Sequence, residues 1–178
     1  MMGLTGIGSV TAVTAALLVG GATGADAVVD AAAGAAGAAT CRSVGLDVSF
    51  GREEGAAGTV YREVLLTNRG VRPCVLRGFP GVSYVDGDGA QIGGAAERVG
   101  DRGPQLTLRH GETAASDVGF AQVRNFDPDV CQPTPVWGVR VYPPDETEPL
   151  YLDMDQQLGC AGDASRVGAH LTVASVRS

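Results

Sequence analysis

Four cysteines and two histidines are the residues of this 178-residue chain best suited to chemistry, because both types bind metals and serve in catalysis. The cysteines are Cys41, Cys74, Cys131 and Cys160, and no two of them are closer than 29 residues. Zinc sites usually take ligands from tight pairs such as C-x-x-C, so this spacing argues against a metal centre. We therefore predict two disulfides that use all four cysteines, and neither a metal nor a cofactor.

The other candidate groups lack the neighbours that catalysis requires. His110 lies in a turn and His170 precedes the last apolar stretch, and neither has a Cys, His or carboxylate at ligand spacing. Ser83 stands in GVSYV, which lacks the final glycine of a nucleophile elbow, and it is interpreted as an outward strand residue. Asp86 and Asp88 lack the later ligands of a calcium loop and are assigned to a hairpin turn. We predict no catalytic residues, and hence that the protein is not an enzyme.

The charge of the chain excludes one class of partner. There are 13 basic residues, all of them arginine, and 20 acidic residues, for a net charge of −7. Nucleic-acid binding requires a basic stripe, and the diffuse negative balance argues against it. Two acidic clusters, Glu53–Glu54 and residues 145–148, are interpreted as solvated loop charges.

The N-terminal region differs in composition from the rest of the chain. Residues 1–25 carry no charge and are followed by a small-x-small triplet, which predicts an export signal over residues 1–27. An Ala/Gly-rich linker follows over residues 28–40. The alternatives are an uncleaved membrane anchor, which would be the only part to contact a membrane, and a lipid on Cys41. A disulfide at Cys41 is the favoured reading, and the predicted location is secreted or in the cell envelope.

Alternation of apolar and polar residues with a period of two dominates residues 41–178 and predicts one all-β domain. About eight short strands separated by Gly/Pro turns predict a β-sandwich of immunoglobulin-like or jelly-roll type. Residues 89–105 show no period and are predicted to form a long loop. Trp137, the only tryptophan, alternates with Val139 and Val141, which predicts that it lies in the core.

Hairpin geometry favours one of the three possible disulfide pairings. If one hairpin turns between Phe50 and Thr59, its paired residue numbers sum to about 109, and the first cysteine lies near the second. A later hairpin, whose paired numbers sum to about 291, places the third cysteine opposite the fourth. We therefore predict the disulfides Cys41–Cys74 and Cys131–Cys160.

The stretch TNRGVRPCVLRGFPGVSYVDGDG, residues 67–89, resembles a family of exported actinobacterial domains of unknown function, number forty-two thirty-two. The resemblance rests on Asn68, on Pro73–Cys74, on Gly78–Val82 and on the Asp-Gly turn. It extends over about residues 41 to 176, through Cys-Gln-Pro at 131 and a last cysteine before a terminal strand. It implies secretion or envelope attachment and no established activity.

From these features we expect a non-enzymatic binding or interaction module. Its partner would be an extracellular or envelope protein or a glycan, bound by loops at the ends of the sandwich. The alternative is an inhibitor of secreted proteases, in which the disulfide-bordered loop presents Leu76 and Arg77 to a trypsin-like pocket.

Overall fold

The computed structural model describes residues 38–178, except for the side chains at positions 156 and 164. The predicted export signal and most of the predicted linker therefore lie outside the described residues. The sheet contacts begin just before the first cysteine. The N–H of Val75 donates to the carbonyl oxygen of Ala39 at 2.9 Å, and the N–H of Cys41 donates to the carbonyl oxygen of Val75 at 3.0 Å.

Eleven strands, rather than about eight, form the described part of the chain, which confirms the predicted all-β class. They are β1 (Leu46–Ala56), β2 (Thr59–Asn68), β3 (Cys74–Leu76), β4 (Gly81–Val85), β5 (Gln91–Ile92), β6 (Glu97–Val99), β7 (Leu106–Leu108), β8 (Thr113–Ala121), β9 (Pro133–Tyr142), β10 (Leu150–Cys160) and β11 (Leu171–Ala174). Two single-turn helices, α1 (Pro128–Cys131) and α2 (Ala164–Val167), and two 3-10 turns, Ser43–Gly45 and Val123–Asn125, lie between strands.

Two main sheets pack face to face as a β-sandwich. Their strand orders are β1-β2-β8-β11-β6 and β10-β9-β4-β5, and β3 pairs with β7 separately. The inner faces share one core, in which Val64 and Val118 of the first sheet meet Val82 and Val139 of the second. Each of these valines is at most 1% exposed, as expected for side chains on the inner faces of two packed sheets.

Both predicted disulfides are present. Cys41–Cys74 joins the segment that precedes β1 to β3, and Cys131–Cys160 joins α1 to the end of β10. The first disulfide lies in a second apolar cluster with Leu66. Because the sulfur of Cys41 is bonded to that of Cys74, it cannot also carry a lipid.

One hairpin register was predicted correctly near its turn, and the other was wrong. Leu152 of β10 pairs with Val139 of β9, as predicted, but beyond Asp153 the register shifts by two residues and Cys160 pairs with Pro133. Phe50 of β1 pairs with Val64 rather than with Thr59, because β1 continues to Ala56 and turns only at residues 57–58. Both turn residues have positive φ, 46° and 83°, which is the geometry of a two-residue type I′ turn.

Residues 89–105, which were predicted to form a long loop, contain β5 and β6. All three residues of β6 are exposed, so no apolar pattern marks this strand. It is held by parallel pairing with β11, in which Arg98 lies beside Val173. The strand therefore depends on a partner that is distant in sequence.

Glu146 was predicted to be a solvated loop charge, but its side chain is only 1% exposed. Its carboxylate accepts hydrogen bonds from the N–H groups of Thr147 at 2.8 Å and Ser43 at 3.2 Å, and Arg42 Nε lies 2.8 Å away. These donors, the N–H of Thr147 first, lower the pKa of Glu146. A buried charge with this many partners fixes the loop between β9 and β10 against the segment that precedes β1.

Candidate binding groove at Trp137

Trp137 is 68% exposed, so the prediction that it lies in the core is wrong. Val136 and Val139 are both buried, which means that the alternation in β9 changes phase between them. Opposite this change, the register of β10 shifts between Asp153 and Gln157. Three backbone positions of β10 therefore lie opposite the single β9 position of Trp137. A bulge of this kind increases the local twist and redirects side chains, and here it turns the indole outward.

The indole forms part of the wall of an open groove of about 890 Å³, which we call the Trp137 groove. The groove lies between β1 and β2 of one sheet and β9 and β10 of the other. Phe50 and the exposed Leu158 contribute apolar surface to it above the buried Val136 and Met154, and polar side chains line the rest, namely Arg62, Asp153, Asp155 and Gln157. A concave apolar surface with a few polar groups is the usual form of a binding site.

The Phe50 side of the groove is held by contacts within the domain. The ring of Phe50 packs edge-on against Phe120, with centroids 6.4 Å apart. The guanidinium of Arg62 lies 5.3 Å from the Phe50 ring centroid and is paired with Glu53 on the neighbouring strand. Glu53 was predicted to lie in an acidic turn, but it is part of a strand. The positive charge of Arg62 is paired with the Glu53 carboxylate.

A second cavity, of about 350 Å³, also borders Trp137, and we call it the turn cavity. It is lined by the turn between β4 and β5 and by Tyr151, which is 52% exposed. Asp86 Oδ1 accepts hydrogen bonds from the N–H groups of Asp88 at 3.0 Å and Ala90 at 2.9 Å, which confirms the predicted turn role of Asp86. A methyl group at Gly87 would lie 3.4 Å from Trp137 Cε2, so this turn supports the indole.

The other candidate residues lie outside the groove. Ser83 was predicted to point outward from its strand, but it is only 4% exposed, so its hydroxyl is not presented to solvent. His170 is 3% exposed and stacks on Tyr84, with ring centroids 6.1 Å apart. His110 is exposed, and its Nδ1 lies 3.1 Å from the carbonyl oxygen of Gly70. Among residues 38–178, no three His, Cys, Asp or Glu side chains are grouped to hold a metal ion.

The loop that the protease-inhibitor hypothesis depends on exposes only one of its two proposed contact residues, Leu76 and Arg77. Leu76 is 1% exposed and packs with Leu66 and Cys41, whereas Arg77 is exposed. A leucine that fills the core cannot enter a protease pocket unless β3 leaves its sheet. The structure therefore weighs against the inhibitor hypothesis.

Sequence reasoning missed the groove, although one signal indicated it. Gly138 lies between Trp137 and Val139 in the interior of β9, and a glycine at such a position often marks a bulge or a close backbone approach. A methyl group there would overlap the backbone oxygen of Leu152. The position next to the tryptophan is therefore restricted to glycine by the approach of β10.

Comparison with known proteins connects this fold to a family. A family model described as "Domain of unknown function (DUF4232)" matches residues 41–177, which include both disulfides and the Trp137 groove. No curated protein matches the chain. In the part of the chain that the structure describes, no helix is long and apolar enough to cross a membrane.

Proposed function

The chain belongs to the family of domains of unknown function numbered 4232, and we propose that this member is an exported, non-enzymatic binding module whose contact surface is centred on Trp137. The partner is an extracellular or envelope component that covers the indole. Recognition is carried by the sheet edge and its bulge.

The observation that carries this proposal is the exposure of the only tryptophan on the wall of an open groove lined by both apolar and charged side chains. Tryptophan is among the residues that most often dominate binding energy at interfaces. Tyr151 and Leu158, each about half exposed, enlarge the apolar surface around Trp137. Trp137, Tyr151 and Leu158 are therefore neighbouring exposed side chains that a partner could cover.

Two further features support export and the absence of catalysis. Disulfides form and persist in oxidising compartments, and this domain contains two. Residues 1–25 carry no charge, as in the apolar part of an export signal. Ser83 and His170 are both buried, and the exposed His110 contacts a backbone carbonyl rather than a nucleophile.

The test is capture of components from the culture medium and cell wall by the immobilised protein. Wild type is compared with Trp137→Ala and with Tyr61→Ala, a control at an aromatic residue that is 43% exposed and lies outside the groove. Components that bind through the groove are expected to be retained by wild type and by Tyr61→Ala, and to be lost with Trp137→Ala. Melting curves establish that each variant is folded.

Two results would overturn the proposal. One is a wild-type protein that retains nothing above the background of the empty matrix. The other is a Trp137→Ala variant that is folded and retains the same components as wild type.

A further inference from the structure

The surface around Trp137 carries negative charge that the protein does not neutralise. Asp86, Asp88, Asp153 and Asp155 line the Trp137 groove or the turn cavity. Within residues 38–178, none of these four carboxylates lies within 4.0 Å of a basic group, although seven arginines make ion pairs, six of them away from both cavities. Of the described residues, Arg62 is the only basic one that lines either cavity, and it is paired with Glu53.

Protection of a sheet edge explains only part of this charge. β10 is an edge strand, and charged side chains such as Asp153 and Asp155 discourage pairing with another chain. Asp88 lies in the turn after β4, which is an interior strand, so the same explanation does not apply to it. Its carboxylate accepts no hydrogen bond from the described residues, in contrast to that of Asp86.

The two cavities form one surface rather than two separate sites. Both are lined by Trp137 and Asp153, so the surface continues on both sides of the indole. A small cation would occupy only a fraction of volumes of about 890 Å³ and about 350 Å³. An extended chain can place one side chain on the indole and its neighbours in both cavities.

We propose that this surface binds an extended basic polypeptide segment, with an arginine or lysine side chain on the indole of Trp137 and its neighbours paired with Asp88, Asp153 and Asp155. The inference rests on the proposed function, because it specifies the partner of the same groove. Tryptophan is the aromatic residue that attracts cations most strongly, and carboxylates pair well with guanidinium groups. Association through such charges is faster and tighter at low salt.

The test uses a dye-labelled oligo-arginine peptide, with oligo-glutamate and Gly/Ser peptides of the same length as controls. Because Trp137 is the only tryptophan, its fluorescence reports whether the peptide reaches the groove. Anisotropy of the dye measures affinity. We expect saturable binding of oligo-arginine that changes Trp137 emission and weakens with added salt, and no such change with the two control peptides.

Two triple variants separate the groove from the overall charge of the protein. The groove variant carries Asp88→Asn, Asp153→Asn and Asp155→Asn. The distant variant carries Glu97→Gln, Asp101→Asn and Asp129→Asn, which removes the same charge from exposed positions that line neither cavity. We expect the groove variant to bind oligo-arginine about tenfold more weakly, as the loss of three exposed charge pairs implies, and the distant variant to change by less than about threefold.

Equal weakening in both triple variants would mean that the peptide responds only to net charge, and would overturn the inference. A neutral glycan that changes Trp137 emission where oligo-arginine does not would also overturn it. In both cases the proposed function stands if Trp137→Ala still loses captured components. Capture that is independent of Trp137 refutes the proposed function itself.

Discussion

Removal of the Cys41–Cys74 disulfide is expected to cost the domain a large share of its stability. The two cysteines are 33 residues apart, and the bond restricts the unfolded chain much more than the folded one. The loop-entropy relation gives about 3.7 kcal/mol for a loop of this length at 25 °C. The same relation gives about 3.6 kcal/mol for Cys131–Cys160, which are 29 residues apart.

The assay is urea unfolding followed by far-ultraviolet circular dichroism, for wild type, Cys41→Ala/Cys74→Ala and Cys131→Ala/Cys160→Ala. Paired alanine substitutions leave no free thiol. Each pair is expected to lower the free energy of unfolding by about 3 to 4 kcal/mol. Removal of both disulfides is expected to cost about 7 kcal/mol, which is comparable with the whole stability of many domains, and to leave much of the protein unfolded.

The two pairs control for each other, since their loops are of similar length but their surroundings differ. The first disulfide lies in the apolar cluster of Leu66 and Leu76, and the second lies beside Val167 and the two short helices. A loss below about 1.5 kcal/mol for either pair would refute the loop-entropy reasoning at that site. Losses that differ by more than about 2 kcal/mol would show that local packing outweighs loop length.

Three other predictions concern single residues. Trp137→Ala is expected to cost only about 1 to 2 kcal/mol in urea unfolding, since about two thirds of the side chain is already exposed, and a cost above about 3 kcal/mol would mean that the indole is packed. Leu66→Ala, at a position with 0% exposure, is expected to cost about 2 to 5 kcal/mol, and a cost below about 1 kcal/mol would contradict the assigned inner face of β2. Glu146→Gln is expected to lower the melting temperature near neutral pH and to have less effect in acid. The pKa of Glu146 is lowered below its ordinary value of 4.5, so the carboxylate stabilises the fold above that pH, and this contribution is lost as the pH falls through the folded-state pKa. Melting curves near pH 7 and near pH 3 test this, and a gap between variant and wild type that is as large in acid would contradict it.

The sandwich core could be predicted because its signal is local. In β2, Val64 and Leu66 alternate with more exposed residues and are both fully buried. The pairing of Cys131 with Cys160 could be predicted because the β9–β10 register near the turn brings the two cysteines close together, although the bulge shifts the register by two residues before Cys160. The pairing of Cys41 with Cys74 was predicted correctly, although the β1–β2 register used for it was wrong. The prediction held because β3 hydrogen-bonds to the segment that precedes β1.

The groove could not be predicted because it depends on interactions across strands. Alternation of Trp137 with Val139 is the usual signal of a shared face, and only the bulge in β10 reverses it. Short strands present the same difficulty, because β6 exposes all three residues and exists through its pairing with β11. The burial of Glu146 likewise requires Arg42 and Ser43, which are about a hundred positions earlier.

The Cys131–Cys160 disulfide makes the segment between these cysteines a covalent ring. Trp137, Asp153 and Asp155 all lie within that ring. A protease that cuts the loop between β9 and β10 would open the ring once, and the two strands would remain attached to each other through the sulfur atoms. The side of the groove that carries the indole can therefore survive a single backbone cut in this loop without separating into two pieces, a form of durability that does not depend on the free energy of folding.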